Sequence, residues 1–146
     1  MNIREMCTAD LEQVYTIEEK LFSIPWSKKS FEDALANSEN IYLVAQEENQ
    51  ILGYCGLWGV VGEGQITNVA VDKMHQKKGI GGMLLAALLD KGEKKGIGAY
   101  TLEVRESNKP ALALYEKFNF KNVGIRKNYY EEPTEHAVIM WRKQGT

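Results

Sequence analysis

Residues 65–82 constrain this chain more than any other stretch. They read as a strand over 66–71, a polar turn over 72–75, and then Gln76-Lys77-Lys78-Gly79-Ile80-Gly81-Gly82 opening a helix. The first amides of a helix have no intrahelical partner and point at whatever lies in front of it. Together with the positive end of the helix dipole they form a site for an anion. Glycine at 79, 81 and 82 keeps side chains away from a backbone contact, and Lys77 and Lys78 add charge beside it. The stretch reads as a pyrophosphate cradle.

Two common cradles do not fit. The dinucleotide pattern G-x-G-x-x-G fails because Met83 and Leu84 follow Gly81-Gly82, and no acidic residue stands about 20 positions on in a suitable strand. The P-loop fails for want of G-K-[ST]. A plain glycine-rich helix start also accounts for these residues taken alone.

Composition narrows the classes. With 146 residues the chain has the length of one compact domain, read here as 1–146, with a real hydrophobic core. A net charge of −2 argues against general nucleic-acid binding. The two cysteines, Cys7 and Cys55, form no C-x-x-C, and His75 and His136 lie far apart, so neither a disulfide framework nor a metal centre is expected. The longest apolar run, 83–89, is too short for a membrane span, and the N-terminus has no apolar signal core. The expectation is a cytoplasmic protein.

Along the chain, 2–6 is an opening strand. Thr8 precedes a helix to about Phe22 with Leu11, Val14, Tyr15 and Leu21 at helical spacing. Ser27 caps a second helix, with Trp26 and Phe31 placed as a hydrophobic staple. Strands at 41–46 and 51–60 flank a polar turn. After the glycine turn, Ile80, Met83, Leu84, Ala87 and Leu88 form an apolar stripe that stops at Gly96-Ile97-Gly98. Residues 99–104 alternate, with Tyr100, Leu102 and Val104 on one face and Thr101 and Glu103 on the other. Asn108 and Pro110 open a helix whose buried side is Ala111, Leu114, Tyr115 and Phe118. Strands at 120–126 and 136–142 close the chain around a loop at 128–134. The order β-α-α-β-β-β-α-β-α-β-β predicts an α/β chain with a mixed sheet and helices on its faces.

Q-x-x-G-x-G at Gln76–Gly81, set in that element order, resembles the GNAT acetyltransferases across essentially the whole chain. Pro25-Trp26-Ser27, Asn68-Val69-Ala70-Val71, Leu102-Glu103-Val104-Arg105 with Asn108, Ala113-Leu114-Tyr115 and Asn128-Tyr129-Tyr130 narrow the resemblance. Together they are similar to the RimI branch of that family, the ribosomal-protein alanine N-acetyltransferases. The resemblance implies the GNAT fold, with about seven mostly antiparallel strands. It implies acetyl-CoA as cosubstrate and the N-terminal alanine of the eighteenth small-subunit ribosomal protein as partner, with no direct nucleic-acid or membrane contact. It also implies that the backbone of Val69, Ala70 and Val71 pairs with the pantetheine arm, that Lys77, Lys78, Gly79, Ile80, Gly81 and Gly82 hold the pyrophosphate, and that Asn108 binds the cofactor. Asn108 serves equally well as a helix cap. Gly82 departs from the arginine, serine or lysine common there in the family, so any side-chain help to the phosphates is lost.

Acetyl transfer to an amine needs a base, a donor for the leaving thiolate, and both reactants held in line. Glu103 is the candidate base, as the one carboxylate on an otherwise apolar strand, where burial would raise its pKa. A glutamate in water or paired with Arg105 is the plainer reading, and the resemblance favours catalysis. Tyr115, seven residues beyond Asn108 and so on the same helical face, is the candidate acid, against the alternative of an ordinary core tyrosine. Cys7 and Cys55 read as small core residues. Asn128-Tyr129-Tyr130 with Glu131, Glu132 and Glu135 reads as an acidic rim facing substrate. Two other functions remain open: a GNAT enzyme for a small amine such as a polyamine or antibiotic, and a non-enzymatic acetyl-CoA sensor or ribosome-assembly partner.

Overall fold

Tyr42 and Val44 pack toward one face of a central strand, and Leu43 and Ala45 toward the other. That period-two alternation makes a sheet with two buried faces. The computed structural model describes residues 1–143. Its seven described strands are β1 (Asn2–Glu5), β2 (Ile41–Glu47), β3 (Gln50–Val60), β4 (Glu63–Val71), β5 (Ala99–Arg105), β6 (Lys121–Tyr130) and β7 (Glu135–Lys143). They lie in the order β1-β2-β3-β4-β5-β7-β6, antiparallel throughout except for the parallel pair β4–β5.

Helices cover both faces. α3 (Ile80–Lys94) and α4 (Lys109–Lys117) pack on the face that carries Leu43, Cys55, Leu57 and Leu102. α1 (Leu11–Leu21) and α2 (Lys28–Ala36) pack on the opposite face against Val44, Tyr54 and Ala70. The Ser27 hydroxyl accepts from the Ser30 amide at 3.1 Å and caps α2, a contact worth about 1 kcal/mol. Trp26 closes on Phe31 at 5.1 Å between ring centroids, so the staple forms.

Several sequence expectations shift. Thr8–Asp10 is a 3₁₀ turn, and α1 starts only at Leu11, because the Asp10 carboxylate bonds the Cys7 amide at 2.8 Å and an Arg4 fork. That Arg4 pairing holds the Asp10 pKa down at about 2, against the opposing pull of burial. Cys7 is exposed, not a core residue, whereas Cys55 is buried. On α3, Met83 faces out at 43% exposure, and Leu85 and Leu89 join the buried stripe.

The site is positioned by one irregularity. β3 pairs Gly56 with Asn68 and then Leu57 with Ile66, which leaves Thr67 as an extra residue in β4. The Thr67 hydroxyl is tied to the Gly56 carbonyl at 3.3 Å and to the Tyr42 hydroxyl at 2.9 Å. Gly56 is required for this, since a Cβ there would lie 2.1 Å from the Tyr42 ring. β5 pairs β4 only from Glu63 to Gln65, up to this bulge, and the two strands pair no further. The one parallel pair of the sheet is thereby split partway along its length.

Candidate active site

The split opens a cleft of roughly 720 Å³. Thr67, Asn68 and Val69 of β4 form one side, and Glu103, Val104 and Arg105 of β5 the other. Asn108, Ala111 and Tyr115 of α4 also line it. Phe22, Ser23, Ile24 and Trp26, between α1 and α2, make one rim; Tyr129 through Pro133, at the β6–β7 turn, make the facing rim.

At the end of β4 the chain turns into α3 through Lys77 at φ +65° and Gly79 at φ +81°. Only Gly79 among the three turn glycines needs glycine for its backbone. Gly81 and Gly82 do not: an added Cβ would meet only Leu114 and Val71 at 3.5 to 3.8 Å, ordinary contact. Internal packing therefore does not explain two consecutive glycines in the first turn of α3. Gln76 fastens this turn to the strand by donating from Nε2 to the Val71 carbonyl at 3.0 Å. The turn at Lys77–Gly82 lies beyond the cleft lining itself, and Ala70 points its side chain away, into the α1–α2 core. The open β4 edge and the unpartnered amides at the α3 start fit an elongated ligand that ends in phosphates.

Glu103 faces the cleft with its side chain 13% exposed. It is not paired with Arg105, nor left in water. Arg126 of β6 brings Nε to 2.8 Å from Oε2, and Gln65 Nε2 lies 3.4 Å from Oε1. Tyr115 is buried, with its ring 5.6 Å from Phe120, and burial pushes its phenol well above the ordinary range. A phenol is protonated at neutral pH with or without that shift and can donate a hydrogen bond into the cleft. Asn108 is an N-cap, its Oδ1 accepting from the Ala111 amide at 3.2 Å, and it also lines the cleft.

The expected loop at 128–134 is shorter. β6 runs on through Asn128, Tyr129 and Tyr130, because Tyr130 pairs with Glu135 across the hairpin and the His136 Nδ1 accepts the Asn128 amide at 3.0 Å. Arg105 holds the remaining turn. Its guanidinium donates to the Pro133 carbonyl at 3.0 Å and the Glu131 carbonyl at 2.9 Å, and stacks 4.5 Å from the Tyr130 ring centroid. Glu135 is not part of an open acidic rim. It accepts from the Ser107 amide at 2.6 Å and Arg105 at 3.2 Å, which keeps its pKa below the usual carboxylate range. Glu131 and Glu132 remain exposed at the turn.

Sequence reasoning missed Glu18. It is 2% exposed, and its carboxyl accepts from the Trp26 amide at 2.9 Å, from the Tyr54 hydroxyl, and from Asn68 Nδ2 at 3.4 Å. Burial raises its pKa, outweighing these three donors. The signal was present: Leu11, Val14 and Glu18 share one helical stripe, so a carboxylate stood on the buried face of α1. Asn68 Oδ1 is buried with no partner among the described residues, a state that costs about 1 to 3 kcal/mol unless a ligand supplies a donor.

A mixed sheet split at a bulged strand, with a glycine-rich helix start beside the split, is the architecture of an acetyltransferase. The chain belongs to the acetyltransferase (GNAT) family, whose model matches residues 11–120. Enzymes of this family use acetyl-CoA. A Bacillus subtilis protein provisionally named [ribosomal protein bS18]-alanine N-acetyltransferase is 40% identical over 140 residues, covering 95% of this chain and 93% of its own. The Escherichia coli K12 protein of that name is 37% identical over 94% of both chains. The crystal structure of the ribosomal-protein-S18-alanine N-acetyltransferase from Escherichia coli superposes with a TM-score of 0.91 at 33% identity, over 99% of this chain and 94% of that one. Among the described residues no helix is long and apolar enough to cross a membrane.

Proposed function

We propose that residues 1–146 act as one domain that moves the acetyl group of acetyl-CoA directly onto the N-terminal alanine amine of ribosomal protein bS18, in the cytoplasm. The observation that carries this reading is the split between β4 and β5 after Gln65, with Glu103 and Tyr115 lining the same cleft. The names of the full-length relatives support the substrate.

Acetyl-CoA supplies the acetyl group as a thioester. The backbone of Val69, Ala70 and Val71 receives its pantetheine arm as an added strand, with Gln76 already holding the Val71 carbonyl. Lys77, Lys78 and the amides of Gly79 through Gly82 take the pyrophosphate, and Asn108 lies beside the cofactor. Glu103 Oε1 or Oε2 takes a proton from the substrate amine, directly or through a water, with the exposed Arg126 beside it as an ion-pair partner. Tyr115 gives its phenolic proton to the departing sulfur. An α-amine has a pKa of about 8, so roughly a tenth is unprotonated at neutral pH, and a modest base suffices. No cysteine lines the cleft, and Cys55 is buried with its thiol pushed up by burial, which favours direct transfer over an acyl-enzyme.

Incubating the protein and acetyl-CoA with N-terminal peptides, polyamines and aminoglycosides, and measuring thiol release, tests this. An Ala-Arg peptide should drive release and gain one acetyl group at its α-amine. Release only with a small amine would overturn the peptide assignment.

A further inference from the structure

The peptide side of the cleft is built around a buried carboxyl. Glu18 Oε2 receives the amide of Trp26, which stands in the rim between α1 and α2. Glu18 Oε1 receives the Tyr54 hydroxyl from β3 and Asn68 Nδ2 from β4. One side chain thus ties the substrate rim to the strand that forms the cofactor side of the cleft.

Asn68 is oriented by this contact. The oxygen of Glu18 admits the amide nitrogen on its side, so Asn68 Oδ1 is turned to the other. That oxygen is buried and accepts no hydrogen bond from a described group, although the residue lines the cleft. An acceptor held in place and lacking a donor is complementary to an N–H that arrives with a ligand. An unprotonated α-amine brings two N–H groups and one lone pair. If the lone pair faces the thioester carbon, the two N–H groups need two acceptors. Glu103 provides one at Oε2, which is buried and accepts no hydrogen bond from a described group, although the Arg126 charge lies 2.8 Å away.

We infer that Asn68 Oδ1 is the second acceptor for the substrate amine, and that Glu18 is a positioning residue. Glu18 aims the Asn68 amide and anchors the Trp26 rim. This rests on the amine-acetylation reading above and adds a binding group to it.

The test is steady-state kinetics on Asn68→Ala, Glu18→Gln and the double variant, using whichever amine the wild-type protein acetylates fastest. Failure of the bS18 assignment therefore leaves it intact. Loss of one neutral hydrogen bond should raise the amine KM roughly fivefold to tenfold in Asn68→Ala. Acetyl-CoA affinity by calorimetry should stay near wild type. In Glu18→Gln the new amide can present a donor to Asn68 and flip it, so KM should rise by a similar factor. The double variant should then be no worse than Asn68→Ala, because one interaction is being removed twice. An unchanged amine KM in folded Asn68→Ala overturns the proposal. So does a fall in acetyl-CoA affinity by the same factor, or multiplicative effects in the double variant. If Asn68→Ala does not fold, the Glu18→Gln KM decides: an unchanged value overturns the assignment.

Discussion

The two ends of the cleft are built by opposite means. At the end proposed for the phosphates the chain uses backbone: a glycine turn, the first amides of α3, and the β4 edge freed by the Thr67 bulge. Its fastening, Gln76 to Val71, spans five residues. At the peptide end the chain uses side chains drawn from far apart. Glu18 reaches Tyr54 across 36 positions and Asn68 across 50, and Arg105 holds the β6–β7 turn from 26 to 30 positions away. A ligand common to a whole family is met by backbone, which changes little with sequence. On the proposed reading, the substrate that distinguishes one member is met by side-chain networks.

Between the ends stand the proposed base and acid, Glu103 and Tyr115, where the largest effects belong. Glu103→Gln and Tyr115→Phe should each lower turnover roughly a hundredfold or more, with acetyl-CoA affinity intact by calorimetry. Near wild-type turnover in both would remove the acid–base assignment.

The next largest effect separates the ends. A side chain at Gly81 has room inside the protein, so Gly81→Val should fold normally and weaken acetyl-CoA binding about tenfold or more. Its KM for peptide should change little. Gly79 is the poorer choice, because its φ of +81° strains any replacement.

Arg105→Ala should do the reverse. It releases the Glu131 and Pro133 carbonyls, and peptide KM should rise severalfold, on the order of one or two lost charge-assisted bonds. Acetyl-CoA affinity should hold. If both constants moved together, the division of the cleft into two separately built ends would fail.

The smallest effect concerns the exposed carboxylates. Changing Glu131 and Glu132 to lysine should raise KM for an Ala-Arg peptide by a few fold and leave an Ala-Ala peptide nearly unaffected, with the difference fading in added salt. Equal effects on both peptides would mean that the turn does not read the second residue. Glu135 is no part of this experiment, since Ser107 and Arg105 occupy it.

What was legible in the sequence follows the same division. The glycine turn, the Ser27 and Asn108 caps and the Trp26–Phe31 staple all rest on spacings of a few residues, and a linear reading finds them. The fold class followed from element order. The Thr67 bulge was not legible, because it is a mismatch between β3 and β4 and neither strand carries it alone. The partner of Glu103 was missed for a related reason: Arg126 arrives from β6, two strands away in the sheet order. The loop at 128–134 was overdrawn because the Tyr130–Glu135 pairing leaves no local signature. Glu18 had a signal, a charge on a buried stripe, that the apolar spacing of α1 obscured.

The central claim is that the strand split receives acetyl-CoA along β4 and at the start of α3. Amide hydrogen exchange with and without acetyl-CoA measures it residue by residue. Binding should slow exchange at the amides of Val69 and Val71, which face the edge that β5 leaves open, and of residues 79–82, and leave the paired β3 amides unchanged. Tight binding with no protection at either segment, or protection confined to the β6–β7 turn, would contradict the account.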